Sequence, residues 1–261
     1  MKKVCRILFA MGDGEELRPL AEAFRKSAEH DPYRARRSGK TGHADGWGYV
    51  LLGEGGIVHY RSPRPVFEDE DGFSGLLDSL SGEVVLMAHA RAASQGAKSL
   101  FNVQPFSFSS RKGFSFWFSH NGDLDKEAVI ERAGFDREHF EGTSDSYAFS
   151  AYLCRLLDGP TAENLLEHYS FGANVSRTTF NTMTLFLMPD GSWRAFITAY
   201  MSSSYYENPL HRNYARLIAL TKPFAIASST LELYYRAGWS EVPNGTAYLI
   251  EPGRLETLRL G

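Results

Sequence analysis

A chain of 261 residues, 43% of them hydrophobic, can fill a sizeable core and reads as one compact domain. A net charge of −3 gives no basis for binding nucleic acid or an anionic membrane, and two cysteines, Cys5 and Cys154, are too few for a disulfide framework or a thiolate zinc site. The apolar run from Val4 to Met11 is broken by Arg6 and too short to span a bilayer, so a soluble, cytoplasmic protein is expected.

The same run, Cys5 to Met11, reads as a first strand closed by the turn Gly12-Asp13-Gly14. Leu17, Leu20, Ala21 and Phe24 then share one helical face, predicting a helix that ends near Glu29. Arg34 to Gly42 reads as a basic loop. His43-Ala44-Asp45-Gly46-Trp47-Gly48 leads into a hairpin, Tyr49 to Leu52 and Ile57 to Tyr60, turning at Gly53 to Gly56. Phe73, Leu76, Leu77 and Leu80 place a helix within Phe67 to Leu80. The β-branched run Glu83 to Ala88 is a buried strand that delivers His89-Ala90-Arg91 and the polar segment to Gly96 at its end, where side chains can face a cleft.

Gly113 to Ser119 alternates with period two and ends in His120-Asn121-Gly122-Asp123, expected to be a turn. Helices follow at Leu124 to Ala133, Ser146 to Leu157 and Thr161 to Tyr169, the second with an N-cap among Thr143 to Ser146 and with Cys154 on its inward side. The remainder is strand: Thr182 to Leu187, Trp193 to Tyr200, Ala215 to Leu220, Phe224 to Ala227, Thr246 to Ile250 and Leu255 to Leu260. Blocks of strands alternating with blocks of helices argue for an α+β fold with mainly antiparallel sheets. His43, His89 and His120 lack the spacing of a metal site, and neither a metal nor another cofactor is expected.

Five pieces stand in one order: Cys5-Arg6 opening the first strand, His43-Ala44-Asp45-Gly46-Trp47-Gly48, His89-Ala90-Arg91, His120-Asn121-Gly122-Asp123 and Ser144-Asp145-Ser146. Together they resemble the class II glutamine amidotransferases, which are N-terminal nucleophile hydrolases, in their stand-alone single-domain branch. The resemblance implies a four-layer αββα sandwich of two mainly antiparallel sheets, with residues 5–261 as a single domain, no appended synthase domain, and residues 1–4 as a propeptide. It implies hydrolysis of the side-chain amide of glutamine or a γ-glutamyl amide through a Cys5 thioester, with a synthase as a candidate partner subunit for the ammonia. By the same resemblance Cys5 is the nucleophile and its own α-amine the base. Asn121 and Gly122 form the oxyanion hole, Arg91 takes the substrate carboxylate and Asp145 its ammonium. Ser94, Trp47 and Gly46 also contact substrate, Trp47 and Gly46 as pocket wall.

The chemistry agrees with these residue types. An acyl-enzyme route needs a nucleophile, a base, a pair of donors for the tetrahedral oxyanion and a clamp on the far end of the substrate. An α-amine of pKa about 7.7 to 8.0 suits proton transfer near neutrality, and Arg offers a planar fork that Lys lacks. Two departures are visible. Where better-known amidotransferases carry an aromatic residue, a threonine and a histidine after the arginine, this chain has Ala92, Ser94 and Gln95. And Met1 to Val4 precede the cysteine, so its nitrogen is an amide, unable to act as base, until Val4 is removed. A chain that keeps these residues would be a catalytically silent ligand-binding or regulatory subunit.

Overall fold

The computed structural model describes residues 4–261. Its strands in chain order are β1 (Arg6–Asp13), β2 (Trp47–Gly53), β3 (Gly56–Ser62), β4 (Glu83–Ala90), β5 (Phe106–Ser109), β6 (Ser115–Leu124) and β7 (Ser176–Leu187). Then come β8 (Trp193–Ala199), β9 (Leu217–Thr221), β10 (Phe224–Ser228), β11 (Ser240–Glu241), β12 (Thr246–Glu251) and β13 (Arg254–Arg259). The helices are α1 (Gly14–Glu29), α2 (Pro32–Ser38), α3 (Glu70–Ser79), α4 (Lys126–Ala133), α5 (Asp145–Leu156), α6 (Ala162–Asn174), α7 (Ser203–Tyr206) and α8 (Pro209–Ala215). Among the described residues no helix is long and apolar enough to cross a membrane.

Two antiparallel sheets form, in the orders β11-β9-β10-β1-β4-β2-β3 and β13-β12-β8-β7-β6-β5. Side-chain alternation along β1 builds the layers. Leu8 and Ala10 join Leu17, Leu20, Phe24 and Phe73 beneath α1 and α3, whereas Ile7 and Phe9 turn inward to meet Trp117, Met183, Leu185 and Ile197 of the other sheet. On that second sheet Phe116, Phe118 and Phe186 face out against Val129, Phe149, Leu153 and Tyr169 of α4, α5 and α6. The result is the expected αββα sandwich. Burying both faces of both sheets explains why the central strands are near-continuous apolar runs.

Three local expectations are corrected. The basic stretch from Arg34 begins inside α2, because Asp31 caps that helix, accepting from the Tyr33 and Arg34 N–H groups, and Pro32 opens it. Asn121 and Gly122 are not a turn: β6 runs through them, pairing Asn121 with Asn181 and Gly122 with Phe180, and breaks register only between Gly122 and Leu124. Cys154 is half-buried, its thiol 3.7 Å from the Ser109 carbonyl oxygen, rather than a core residue.

Candidate active site

β1 brings Cys5 to one end of the sandwich. Its side chain continues the alternation of Ile7 and Phe9 and so faces the inter-sheet layer, while Arg6 points the other way and is fully buried. Arg6 is held there by Asp31, with Nε at 2.8 Å, and its Nη1 donates to the carbonyls of Cys5 at 3.0 Å and Tyr214 at 3.1 Å. Asp31 also accepts from His43 Nε2 at 2.9 Å and Thr230 Oγ1 at 2.9 Å. Burial alone would raise the Asp31 carboxyl, but the Arg6 charge and the His43 hydrogen bond outweigh it and hold the group below the usual carboxylate range. This buried cluster fixes the backbone on which the thiol stands.

The Cys5 thiol meets the segment after β4, with the Ala92 N–H 3.3 Å from its sulfur. Burial pushes the thiol up from its ordinary value against the pull of that N–H and of Arg91, Arg6 and Arg34. The sulfur is therefore protonated at neutral pH, and attack requires a base.

Cys5, Arg91, Ser94, Gly122 and Asp145 line one cleft, together with Gln95, Gln104 and His120. Its free space is about 10 Å³, room for about one water molecule. Arg91 lines it, its guanidinium donating to the Gln95 carbonyl at 2.9 Å and the Ala97 carbonyl at 3.3 Å. The loop carrying those carbonyls is tied down twice. Gln95 Nε2 donates to Asp123 Oδ1 at 2.7 Å and to the Leu124 carbonyl at 3.0 Å, and Lys98 reaches Asp45 at 2.6 Å.

Asp145 opens α5, but Ser144 is the residue that caps it, accepting from the Tyr147 N–H at 3.1 Å. The carboxylate is thus not spent on the cap; its Oδ2 accepts from the Leu124 N–H at 2.7 Å and its Oδ1 lies 3.4 Å from Ser146 Oγ. Burial raises its pKa, opposed by His120 and the Leu124 N–H. His120 Nε2 lies 3.2 Å from the Thr179 carbonyl and so must donate to it, leaving Nδ1 to accept from Ser146 Oγ at 3.0 Å. Both ring nitrogens are engaged, and burial disfavours the imidazolium that the ring would become on taking a proton.

Asn121 lies on the inter-sheet face that Cys5 shares, with Trp117 and Ser119. Its side chain is fully buried, yet neither amide atom makes a hydrogen bond with a described residue. Orphaned buried amides are rare and costly. Gly122 packs so closely against β7 that a Cβ there would overlap the Thr179 carbonyl oxygen.

Trp47 is a correction. Its indole is wholly buried beneath α3, packed at tilted angles among Tyr49, Tyr60 and Phe73, and donates to Asp69 at 2.9 Å, so it forms no wall of the cleft. Gly46 is not in the cleft lining either; its carbonyl accepts from the Arg91 N–H at 2.8 Å and positions that residue. At φ +102° and with Val103 and Ser62 pressed against it, no Cβ fits there. Gln104, whose Oε1 accepts from the His120 N–H at 2.6 Å, and Ser146 are cleft residues without a site role from sequence. Among the described residues no cluster of side chains is arranged to hold a metal ion.

A family profile described as glutamine amidotransferases class-II matches residues 25–193, well over half of the chain. The chain belongs to the class II glutamine amidotransferases. The matched span contains Arg91, Asn121, Gly122 and Asp145, and starts after Cys5. Among solved structures, this class II amidotransferase superposes on an allosteric regulatory enzyme of purine biosynthesis with a TM-score of 0.65 and 16% identity over 98% of its length. It superposes on the glutamine phosphoribosylpyrophosphate amidotransferase from B. subtilis with a TM-score of 0.63 and 17% identity, again over 98%. The chain spans 49% of each of those two proteins. A class-II domain protein from Silicibacter pomeroyi aligns over 83% of the chain and 92% of its own, at 16% identity and a TM-score of 0.48. A search of curated protein sequences gives no match.

Proposed function

We propose that this class II amidotransferase is a glutaminase-type amidohydrolase, cleaving the side-chain amide of glutamine or of a γ-glutamyl amide through a Cys5 thioester once residues 1–4 are removed. Met1 to Lys3 lie outside the described residues; Val4 is the part of that segment in view. The observation that carries the reading is the buried, unpartnered Asn121 amide next to Gly122, on the face that Cys5 shares. A donor left idle in the resting protein is available to the oxyanion of a tetrahedral intermediate, and such a donor is worth about 3 to 4 kcal/mol in the transition state.

The freed α-amine of Cys5 takes the thiol proton, and the sulfur attacks the γ-carbonyl carbon. Asn121 Nδ2 and the Gly122 N–H receive the negative oxygen. The C–N bond then breaks, the leaving nitrogen carries away the proton held by the amine, and a thioester remains. Water, deprotonated by the same amine, attacks the thioester; glutamate leaves and the thiol is restored. Arg91 binds the substrate carboxylate in exchange for the Gln95 and Ala97 carbonyls, Asp145 binds the ammonium, and Ser94 borders the same space. An ammonium against Asp145 would draw its pKa back down. A reducing cytoplasm keeps such a thiol usable, and a synthase subunit is a candidate recipient of the ammonia.

One observation favours a second reading. Val4 is buried and its carbonyl accepts from the Tyr214 hydroxyl at 2.6 Å, so the Val4–Cys5 bond is held firmly, as in a silent ligand-binding subunit. Intact mass of the protein from its own host, followed by treatment with an electrophilic glutamine analogue, decides between them. Hydrolase activity predicts loss of residues 1–4 and labelling that disappears in Cys5→Ala, with glutamate release falling at least about 10³-fold. A full-length, unlabelled Cys5 selects the silent subunit.

A further inference from the structure

Asn102 is fully buried and has none of the roles assigned so far, yet its amide is engaged on both sides beside the cleft. Nδ2 donates to the Ala97 carbonyl at 3.0 Å and the Gly142 carbonyl at 2.9 Å, and Oδ1 accepts from the Ser144 N–H at 2.8 Å. Two acceptors and one donor surround the group, so an amide fits in one orientation and a carboxylate in none. These bonds join two separate pieces of chain. One is the loop whose Gln95 and Ala97 carbonyls receive the Arg91 guanidinium. The other is the turn that ends in Ser144, a residue of the cleft lining and the cap of α5, immediately before Asp145. The backbone repeats the tie, the Ala97 N–H donating to the Gly142 carbonyl at 3.0 Å. Gly96 shows how closely the two pieces run: at φ +74°, it would place a Cβ 2.8 Å from the Ser144 nitrogen.

The two ends of the substrate clamp depend on this tie unequally. Arg91 follows directly on β4 with its N–H bound to the Gly46 carbonyl, so its backbone is fixed without the loop. The start of α5 is held through the Asn102 bond to the Ser144 N–H, while the Leu124 N–H holds the Asp145 carboxylate. Asn102 also serves the exchange at Arg91. When a substrate carboxylate draws the guanidinium away, the Ala97 carbonyl keeps its bonds from Asn102 Nδ2 at 3.0 Å and the Ser99 N–H at 3.1 Å, so it is not orphaned.

We propose that Asn102 is a positioning residue that holds Asp145 in register with Arg91, and that it thereby sets the preference for substrates with a free α-ammonium beside the α-carboxylate. The inference rests on the clamp assigned in the amidohydrolase reading. Asn102 acts through Ser144 and Ala97, without touching substrate.

The test measures equilibrium binding by calorimetry in a Cys5→Ala chain, which cannot turn substrate over. L-Glutamine is compared with glutaramate, the same molecule without its α-amine. An ammonium paired with Asp145 predicts that glutamine binds about ten-fold or more tighter. Adding Asn102→Asp keeps the size and one acceptor but sets a carboxylate oxygen against the Ala97 and Gly142 carbonyls. It is expected to weaken glutamine about ten-fold while glutaramate changes by less than about three-fold, because Arg91 keeps its place. Gly96→Ala, which forces the loop and the turn apart, is expected to do the same and serves if Asn102→Asp does not fold. Equal weakening of both ligands, or no change in either, makes Asn102 part of the general scaffold and overturns the inference while the clamp and the hydrolase stand. Equal affinity for both ligands in the Cys5→Ala chain itself overturns the Asp145 assignment and the inference. Failure of that chain to bind either ligand overturns the clamp, the amidohydrolase reading and the inference together.

Discussion

Cys5 is a protonated thiol whose neighbours hold its backbone more firmly than they activate its sulfur. That division of labour was half legible in the sequence. Cys5, Arg91 and Asp145 stood out because each residue type has a chemical reason to meet the others. Arg6, fully buried against Asp31, did not, since nothing local tells a buried arginine from a solvated one. Trp47 misled for the opposite reason: its place between two glycines suggested a pocket wall, but the parity of β2 turns it toward α3. Asp145 could be read as cap or ligand until Ser144 was seen to take the cap. At this scale Arg91→Lys is expected to raise KM for a glutamyl substrate at least about ten-fold with a smaller change in kcat, because a point charge cannot bind a carboxylate through two parallel bonds. Steady-state kinetics on the processed chain measures it.

Among the elements, β6 carries the most consequence, since one strand supplies His120, Asn121, Gly122 and Asp123. Reading Asn121-Gly122 as a turn followed local chemistry; the strand continues because β7, more than fifty residues later, pairs with it through Asn181 and Phe180. Such pairing has no short-range signature. The helical error differs, because Asp31-Pro32 was a readable start signal for α2, obscured by the run of arginines after it. Gly122→Ala drives a methyl group into the Thr179 carbonyl, so it should destabilise by about 3 kcal/mol or more, measured as a lowered urea midpoint. Ser144→Ala should cost only about 1 kcal/mol through the lost α5 cap. By loosening the turn that presents Asp145, it should also raise KM more than it lowers kcat.

Across the whole molecule, the αββα order was legible in the blocks of strands and helices together with the five motifs, whereas the meeting of the sheets around one cleft required the long-range pairings. The interior also fixes a response to acid. Burial holds His43 and His89 neutral, each pushed down to about 3. An unfolded histidine titrates near about 6.5, so between these values the unfolded chain binds more protons and stability falls as pH falls, by up to about 1.4 kcal/mol per pH unit for each ring. Asp145, raised by burial, acts in the opposite direction only below its folded value and above about 3.9. Urea unfolding from pH 7 to 5 should therefore show a midpoint that drops steadily, and His43→Gln should flatten that slope.

The two hydrogen bonds that Gln95 Nε2 donates to Asp123 and Leu124 tie these scales together. The loop that lines the cleft is fastened to the same strand that bears Asn121 and Gly122, at the two residues that follow Gly122. A displacement of that loop would break both bonds and take a restraint off the end of β6. The loop beside Arg91 and the strand bearing Asn121 and Gly122 are thus one mechanical unit, and a change in either is felt by the other.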